Sequence, residues 1–432
     1  MTGEPERDVI VLGGGIAGLV VARDLGERGL RVAVLEARDR LGGRTWSRRL
    51  TGHDVVVEFG GTWISRELQP EVAREVARYD LAVRTGEPFR RAVWAGSGGR
   101  IEGATALEVF GELYAPARAA IDAAVAAIRA AYAADGTLPA ELDVAADVWI
   151  DALDAPRATK EALLAWLAVI GGGDPARQSI LILLADMALT GFGIEDTLEA
   201  LGETFADGTG ALVAAIAGEV RGEIVTGAVV ARVEHGDAGV RVTTADGGVR
   251  EARAAVVALP LNCLADVVFD PPLHPVRRAA SAERHPGTST KVLTITRRFP
   301  ERSIGWGWGH PLQGAVGMSP VDGGTLVTGF DGMGALGDPN DPQAVQVALR
   351  VFAPDAEVVA AESHDWVADP FARGAWLSWP PGWAAGVAGE LARPEGLLHF
   401  AGGDVAIEGG GYIEGAIGSG RAAAVALAAT IA

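Results

Sequence analysis

Cysteine is nearly absent. Cys263 is the only one among 432 residues, so neither an intrachain disulfide nor a thiolate metal cluster can form. That usage fits a reducing cytoplasm. Long apolar runs are missing too. Met1 to Asp8 is polar and charged, with no apolar signal core. The last apolar run, Ala422 to Ala432, has 11 residues. A membrane-spanning helix needs about 20, so this run is expected to be a packed terminal helix. The expectation is a soluble, cytoplasmic protein with no membrane partner. Positive charge is in deficit, with 37 Lys and Arg against 56 Asp and Glu and a net charge of −19. Such a surface repels phosphate backbones and speaks against nucleic acid as a partner; it would draw a cationic substrate, although aiding solubility accounts for most of the charge equally simply. HExxH and GxSxG spacings do not occur, and the seven histidines are scattered, so no metal site is expected. Low-complexity stretches and solenoid repeats are also lacking.

What is present is apolar residue and glycine. Hydrophobic residues make up 49 %, enough for large cores, and the length suggests two domains. Asp8 to Leu12 reads as a buried strand. Gly13-Gly14-Gly15-Ile16-Ala17-Gly18 comes directly after it, then a helical segment from Leu19 to Arg28 closed by Gly29. Arg31 to Leu35 is a second apolar strand, and it ends at Glu36. Strand, glycine turn, helix, strand and acid together make a dinucleotide site. Gly13 permits the tight turn, Gly15 lets backbone approach the pyrophosphate, and Gly18 lets helix and strand pack closely. The N–H groups of Ile16 and Ala17 open the helix toward the phosphates. Glu36, 18 positions past Gly18, can accept from ribose hydroxyls and would repel the extra phosphate of NADP.

The segment after Glu36 separates NAD from FAD. Ala37-Arg38-Asp39-Arg40-Leu41-Gly42-Gly43-Arg44-Thr45 adds a second glycine pair and a basic cluster that a longer cofactor needs. Arg44 can reach the diphosphate or flavin from the Gly42-Gly43 bend. For Arg38 and Arg40, a solvated loop cation is an open alternative.

At this point the chain resembles the flavin monoamine oxidase family, which holds monoamine, polyamine and many L-amino acid oxidases. Three later segments carry the same resemblance. Glu58-Phe59-Gly60-Gly61-Thr62-Trp63-Ile64 is similar to the family's loop beside the flavin. His399-Phe400-Ala401-Gly402-Gly403-Asp404 is similar to its late cofactor strand and turn. Gly411-Tyr412-Ile413-Glu414-Gly415-Ala416-Ile417 is similar to the motif opening its last helix. The resemblance implies noncovalent FAD, because Ala375 stands where some members carry a linking cysteine. It also implies that the Val229 backbone pairs with adenine.

The implied fold class is α/β, with a Rossmann-like FAD-binding domain interleaved with an α+β substrate domain of mixed sheet and helices. The first would take residues 1–84, 206–284 and 370–432, the second 85–205 and 285–369. Strands are read at Glu223–Val225, Ala228–Glu234, Gly239–Thr244, Ala254–Leu259, Lys291–Thr296 and Thr325–Phe330. Helices are read at Glu161–Ile170 and Ile180–Leu189, and one broken or two helices between Ala104 and Ala134.

By the same resemblance, Lys291 lies beside the flavin and assists reaction with O2, where a cation stabilises negative oxygen species. Trp376 and Tyr412 form the two walls of an aromatic cage for the amine. The implied activity is hydride transfer from the amine Cα–H to FAD. The imine then hydrolyses to an aldehyde or ketone, and O2 reoxidises the flavin to give H2O2. Two alternatives stand on the same scaffold. One is an L-amino acid oxidase, for which Arg90, Arg91 or Arg373 would grip the carboxylate. The other is a biosynthetic flavin oxidase or desaturase acting on a carbon skeleton. Glu408 is either an exposed acid or a grip for a second cationic group. Oligomeric state is left open, a homodimer included.

Overall fold

The computed structural model describes residues 7–191, 193–194 and 202–431. Val9, Ile10, Val11 and Leu12 are all fully buried, as a strand covered on both faces must be. The side-chain alternation sorts them. Val9 and Val11 join Val32 and Val34 in one core, while Ile10 and Leu12 join Leu35 in another. Strand Arg7–Leu12 therefore sits mid-sheet, parallel to Val32–Leu35 on one side and Val249–Val257 on the other. Glu223–Val225 and Leu398–Phe400 extend this parallel layer at its two ends.

The strand expected at Ala254–Leu259 runs from Val249 to Val257. Its polar first half, with Arg250 and Glu251, pairs antiparallel with the hairpin strand Gly239–Thr244. Apolar content marks only the half that enters the parallel layer. Val230–Gly236 and Val268–Asp270 complete eight strands among the described residues.

Two helices cover one face. Ile16–Glu27 begins three residues earlier than the expected Leu19, because Ile16, Ala17 and Gly18 of the glycine motif are already helical. Ile413–Ile431 begins within the Gly411–Ile417 segment expected to open the last helix, continues through the apolar run from Ala422, and packs along the first helix. Buried Arg23 donates to Glu75 and Tyr79, and Arg421 donates to Glu75 (2.6 Å). These bonds tie Ile16–Glu27, Pro70–Tyr79 and the C-terminal helix into one unit.

A second sheet has seven strands among the described residues, in the order Glu357–Ser363, Thr290–Arg297, Gly324–Asp331, Gly314–Val321, Ser303–Gly307, Arg91–Gly96 and Gly99–Gly103. All its neighbours are antiparallel except Ser303–Gly307 with Arg91–Gly96, so the sheet is mixed. Helix Arg157–Ile170 packs on it, and Ile180–Leu189 lies where expected. We propose the two interleaved domains on this strand distribution, since residues 1–84, 206–284 and 370–432 hold every strand of the first sheet. No helix of the described residues is long and apolar enough to cross a membrane.

Candidate active site

One cavity of about 1220 Å³ runs between the two sheets. At one end the wall is the turn after the first strand. Gly13 has φ +104°, and a Cβ there would come within 2.6 Å of the Ala258 carbonyl oxygen. Gly15, the N-cap of the first helix, is open instead. A Cβ on it would meet nothing nearer than Gly43 Cα at 3.9 Å. No side chain caps this helix and no acid lies in its first turn, so its N–H groups at Ile16 and Ala17 are left for an anion on the cavity side. Gly18, counted with the binding motif for its packing task, does not itself line the cavity. It lies beneath the turn, where a Cβ would collide with the Gly13 carbonyl oxygen, so its contribution is packing.

Glu36 is buried and holds the loop together. Its Oε2 accepts from Gly14 N–H (2.7 Å) and its Oε1 from Arg38 N–H (2.8 Å). A carboxylate has about four lone-pair sites, so two remain for hydroxyl donors. The Val229 carbonyl accepts from Ala245 N–H (2.8 Å), which leaves the Val229 N–H side for a base edge. Arg38 lines the cavity and pairs with Asp369 (2.8 Å). Arg40 does not line it; its guanidinium lies 4.5 Å from the centre of the Trp46 ring and donates to the Gly43 carbonyl.

Farther in, Arg44 bridges three segments. It donates to Asp404 (2.6 Å) and to the Ala375 carbonyl (2.7 Å), while Asp404 also accepts from Leu261 N–H (3.0 Å). Burial opposes ionisation of Asp404, yet the Arg44 charge and these bonds hold its carboxyl below the usual range. Cys263 reaches the same wall, but its thiol faces the Pro370 carbonyl and burial pushes it up to about 12. It stays a protonated thiol at neutral pH.

Gly60, Gly61, Thr62 and Trp63 form the next stretch of wall, and Gly403 and Ile413 lie across from them. Lys291, on strand Thr290–Arg297, reaches this loop. Its ammonium donates to the Gly60 carbonyl (3.1 Å) and to the Thr62 hydroxyl, 5.1 Å from the centre of the Trp63 ring. Burial lowers its pKa to about 7, against the opposing pull of Glu58.

Trp376 and Tyr412 open on the same cavity. The segments carrying them touch, because Gly410 and Gly411 lie against Leu377, with a Gly411 Cβ position only 3.2 Å from Leu377 N. The missing bulk of Gly409-Gly410-Gly411 is thus what lets the two segments meet. Trp376 donates its indole N–H to the Ile170 carbonyl (2.9 Å). Its ring lies over Gly172, which has φ +79° and where a Cβ would collide with the indole. The Tyr412 hydroxyl hydrogen-bonds Asp186, and burial raises its pKa well above the phenol value, so it is neutral. Around this end the wall is apolar, with Val169, Ile170, Leu183, Ile304, Val316 and Phe330. Five tryptophans fall in two short segments, 306–308 and 376–383; Trp306, Trp376 and Trp379 line the cavity, whereas Trp308 and Trp383 do not.

The structure thus gathers every expected site residue except Gly18 around one space. Glu408 is turned outward, where it accepts from the Tyr132 hydroxyl (3.1 Å). Asp186 and Gly172 carry no signal in the sequence. Asp186 stands in an apolar helix without a motif, and Gly172 sits in a run of three glycines that reads as an ordinary turn.

Comparison with known proteins adds an independent line. Residues 16–428 match the family described as flavin containing amine oxidoreductase. The chain is 33 % identical to (S)-6-hydroxynicotine oxidase of Paenarthrobacter nicotinovorans, covering 95 % of this chain and 96 % of that one. It is 31 % identical to pseudooxynicotine dehydrogenase of a Pseudomonas species, over 96 % of this chain and 85 % of the relative. Among solved structures, putrescine oxidase bound to putrescine superposes with a TM-score of 0.86 at 23 % identity, covering 98 % of this chain and 99 % of that one. At that identity the likeness establishes the shared fold.

Proposed function

The chain belongs to the flavin-containing amine oxidoreductase family, and from that premise we propose that it oxidises a small amine, with O2 as the electron acceptor. Its cofactor is FAD, a group whose chemistry is to accept the hydride of the amine Cα–H. The residues present fit it. The bare Gly15 backbone and uncapped helix N-terminus suit a diphosphate, Glu36 suits ribose hydroxyls, and the Val229 N–H suits adenine. Arg44, Asp404, Gly403, Gly43, Arg38 and the Gly60-Gly61-Thr62-Trp63 loop would hold the remainder, with Ile413 at the start of the last helix. Ala375 offers no thiol and the Cys263 thiol is turned to Pro370, so attachment is noncovalent.

The chain's own residues then orient and desolvate the substrate. Trp376 and Tyr412 hold the amine between them, and their electron-rich faces favour a cationic nitrogen on entry. Apolar side chains at this end leave water little to bond to, which favours the neutral amine that the reaction needs. Lys291, fixed by Gly60 and Thr62, holds a positive charge where reduced oxygen species would form. The product imine hydrolyses to an aldehyde or ketone, and oxygen leaves as H2O2.

The carrying observation is that Lys291, Trp376 and Tyr412, from three distant parts of the chain, open on the cavity whose other end is the Gly13–Ala17 turn. An amine substrate is favoured over an amino acid by the placement of the arginines. Arg90 and Arg91 do not line the cavity, and Arg373 pairs with Asp266 (2.5 Å) among the cofactor-side residues. A peroxide-coupled panel of amines and amino acids tests the proposal. Peroxide from amines alone is expected; peroxide from amino acids alone, or none with any amine, would overturn it.

A further inference from the structure

One charged side chain at the apolar end of the cavity takes no part in the proposed oxidation. Asp186 is the only charged residue of helix Ile180–Leu189, whose sequence is otherwise Ile, Leu, Ala and Met. Ile182, Leu183, Asp186 and Thr190 recur at helical spacing and all line the cavity, so one face of this helix is a stretch of its wall. The acid could have faced solvent at little cost. Instead it stands beside the Tyr412 ring, and its partial exposure opens on the cavity.

Its partners do not neutralise it. The Tyr412 hydroxyl donates to the carboxylate. The Thr190 hydroxyl makes its shorter bond to the Asp186 backbone carbonyl (2.8 Å) and a longer one to Oδ1 (3.3 Å). Among the described residues no lysine, arginine or histidine pairs with Asp186. Arg129, which reaches the end of the same helix, gives its donors to the carbonyls of Ala188 (2.9 Å) and Met187 (3.3 Å). Burial raises the Asp186 pKa to about 6, so the group is largely ionised at neutral pH. A carboxylate with two neutral donors keeps acceptor capacity, and an uncompensated charge in an apolar wall is costly. A cation delivered by the substrate would supply both the missing charge and the missing donors.

We propose that Asp186 anchors a second, protonated nitrogen of the substrate while the first lies at the Trp376–Tyr412 cage. The substrate class is then a diamine, or an amine carrying another basic nitrogen. This rests on the amine-oxidation reading and deepens it. A purely structural role, in which Asp186 only props the Tyr412 hydroxyl, makes a different prediction: its loss would affect every amine alike.

The experiment compares α,ω-diamines with n-alkylamines of three to six carbons on the FAD-loaded protein and on Asp186→Asn. Two readouts are taken: kcat/KM, and ligand-induced thermal protection, which needs no turnover. At the best chain length the unmodified protein should prefer the diamine. In Asp186→Asn the diamine should lose ~30-fold more than the monoamine, mostly through KM, as expected when one partner of a buried charge pair is removed. Equal losses for both amines, or an unchanged ratio, would overturn the assignment. If Asp186→Asn does not fold, the unmodified protein decides, and no diamine preference at any length sinks the proposal. If neither class is oxidised, the amine-oxidation reading fails on this panel and thermal protection still judges Asp186. Protection by diamines that Asp186→Asn loses supports the subsite, and protection by neither class contradicts it.

Discussion

The two ends of the cavity are made of different material. At the dinucleotide end the wall is backbone and paired charge: bare glycines at 13, 15 and 43, an uncapped helix, and Arg44 locked to Asp404. At the cage end it is side chains from at least five segments, mostly apolar, with one indole held by a carbonyl and one phenol held by a half-buried acid. A polyanionic cofactor of fixed shape is matched by fixed donors, which backbone supplies without side-chain entropy. A small amine is matched by shape and by a few polar groups, which only side chains supply. The two ends should therefore fail differently when altered.

The largest effect is expected where they meet. Lys291→Met should slow reoxidation by O2 by about 10²–10³-fold, the usual scale for removing one preorganised charge, while amine-driven reduction changes far less. Stopped-flow absorbance of the two half-reactions separates them, and equal slowing of both would remove the role given to Lys291. Burial has lowered this amine to about pH 7, so its charge is lost as pH rises through that value. The oxygen half-reaction should slow over the same range, and Lys291→Met should abolish that dependence.

At the cage end, Trp376→Ala should lower amine kcat/KM by about 10–100-fold through lost orientation, with FAD content little changed. A protein that loses its flavin instead would mean the two ends are not separable. At the dinucleotide end, two glycines divide packing from binding. Gly18→Ala forces a Cβ onto the Gly13 carbonyl and should cost about 1–3 kcal/mol of stability, read from denaturant unfolding. Gly15→Ala has room in the fold, so its melting temperature without added flavin should hold while FAD affinity drops. Equal behaviour of the two variants would contradict the geometry. The smallest effect belongs to Glu408→Gln. Its carboxylate faces Tyr132 outside the cavity, so turnover should stay within about twofold, the range of ordinary surface changes.

The same contrast explains which parts are legible in the amino-acid sequence. The dinucleotide end is written in consecutive residues: Gly13 to Gly18 lie on one turn, and Glu36 closes the strand paired beside it. Strand and helix periodicities carry most elements of the parallel sheet for the same reason. Gly18 belongs to packing and not to the wall, which is the task the motif gives its third glycine. At the cage end, Lys291, Trp376 and Tyr412 are reached through resemblance alone, since nothing local distinguishes them from core residues. Asp186 is invisible: helical spacing puts it on one face with Leu183 and Thr190, but only tertiary packing decides that this face meets a cavity. Gly172 is invisible too, because what its φ of +79° makes room for is an indole far along the chain, that of Trp376.

The most direct test of the account is anaerobic mixing of the purified, flavin-loaded protein with an amine while the flavin absorbance is followed. Bleaching of the yellow colour by the amine, and its return on admission of air with release of peroxide, is the predicted result. A spectrum that no amine alters would contradict it.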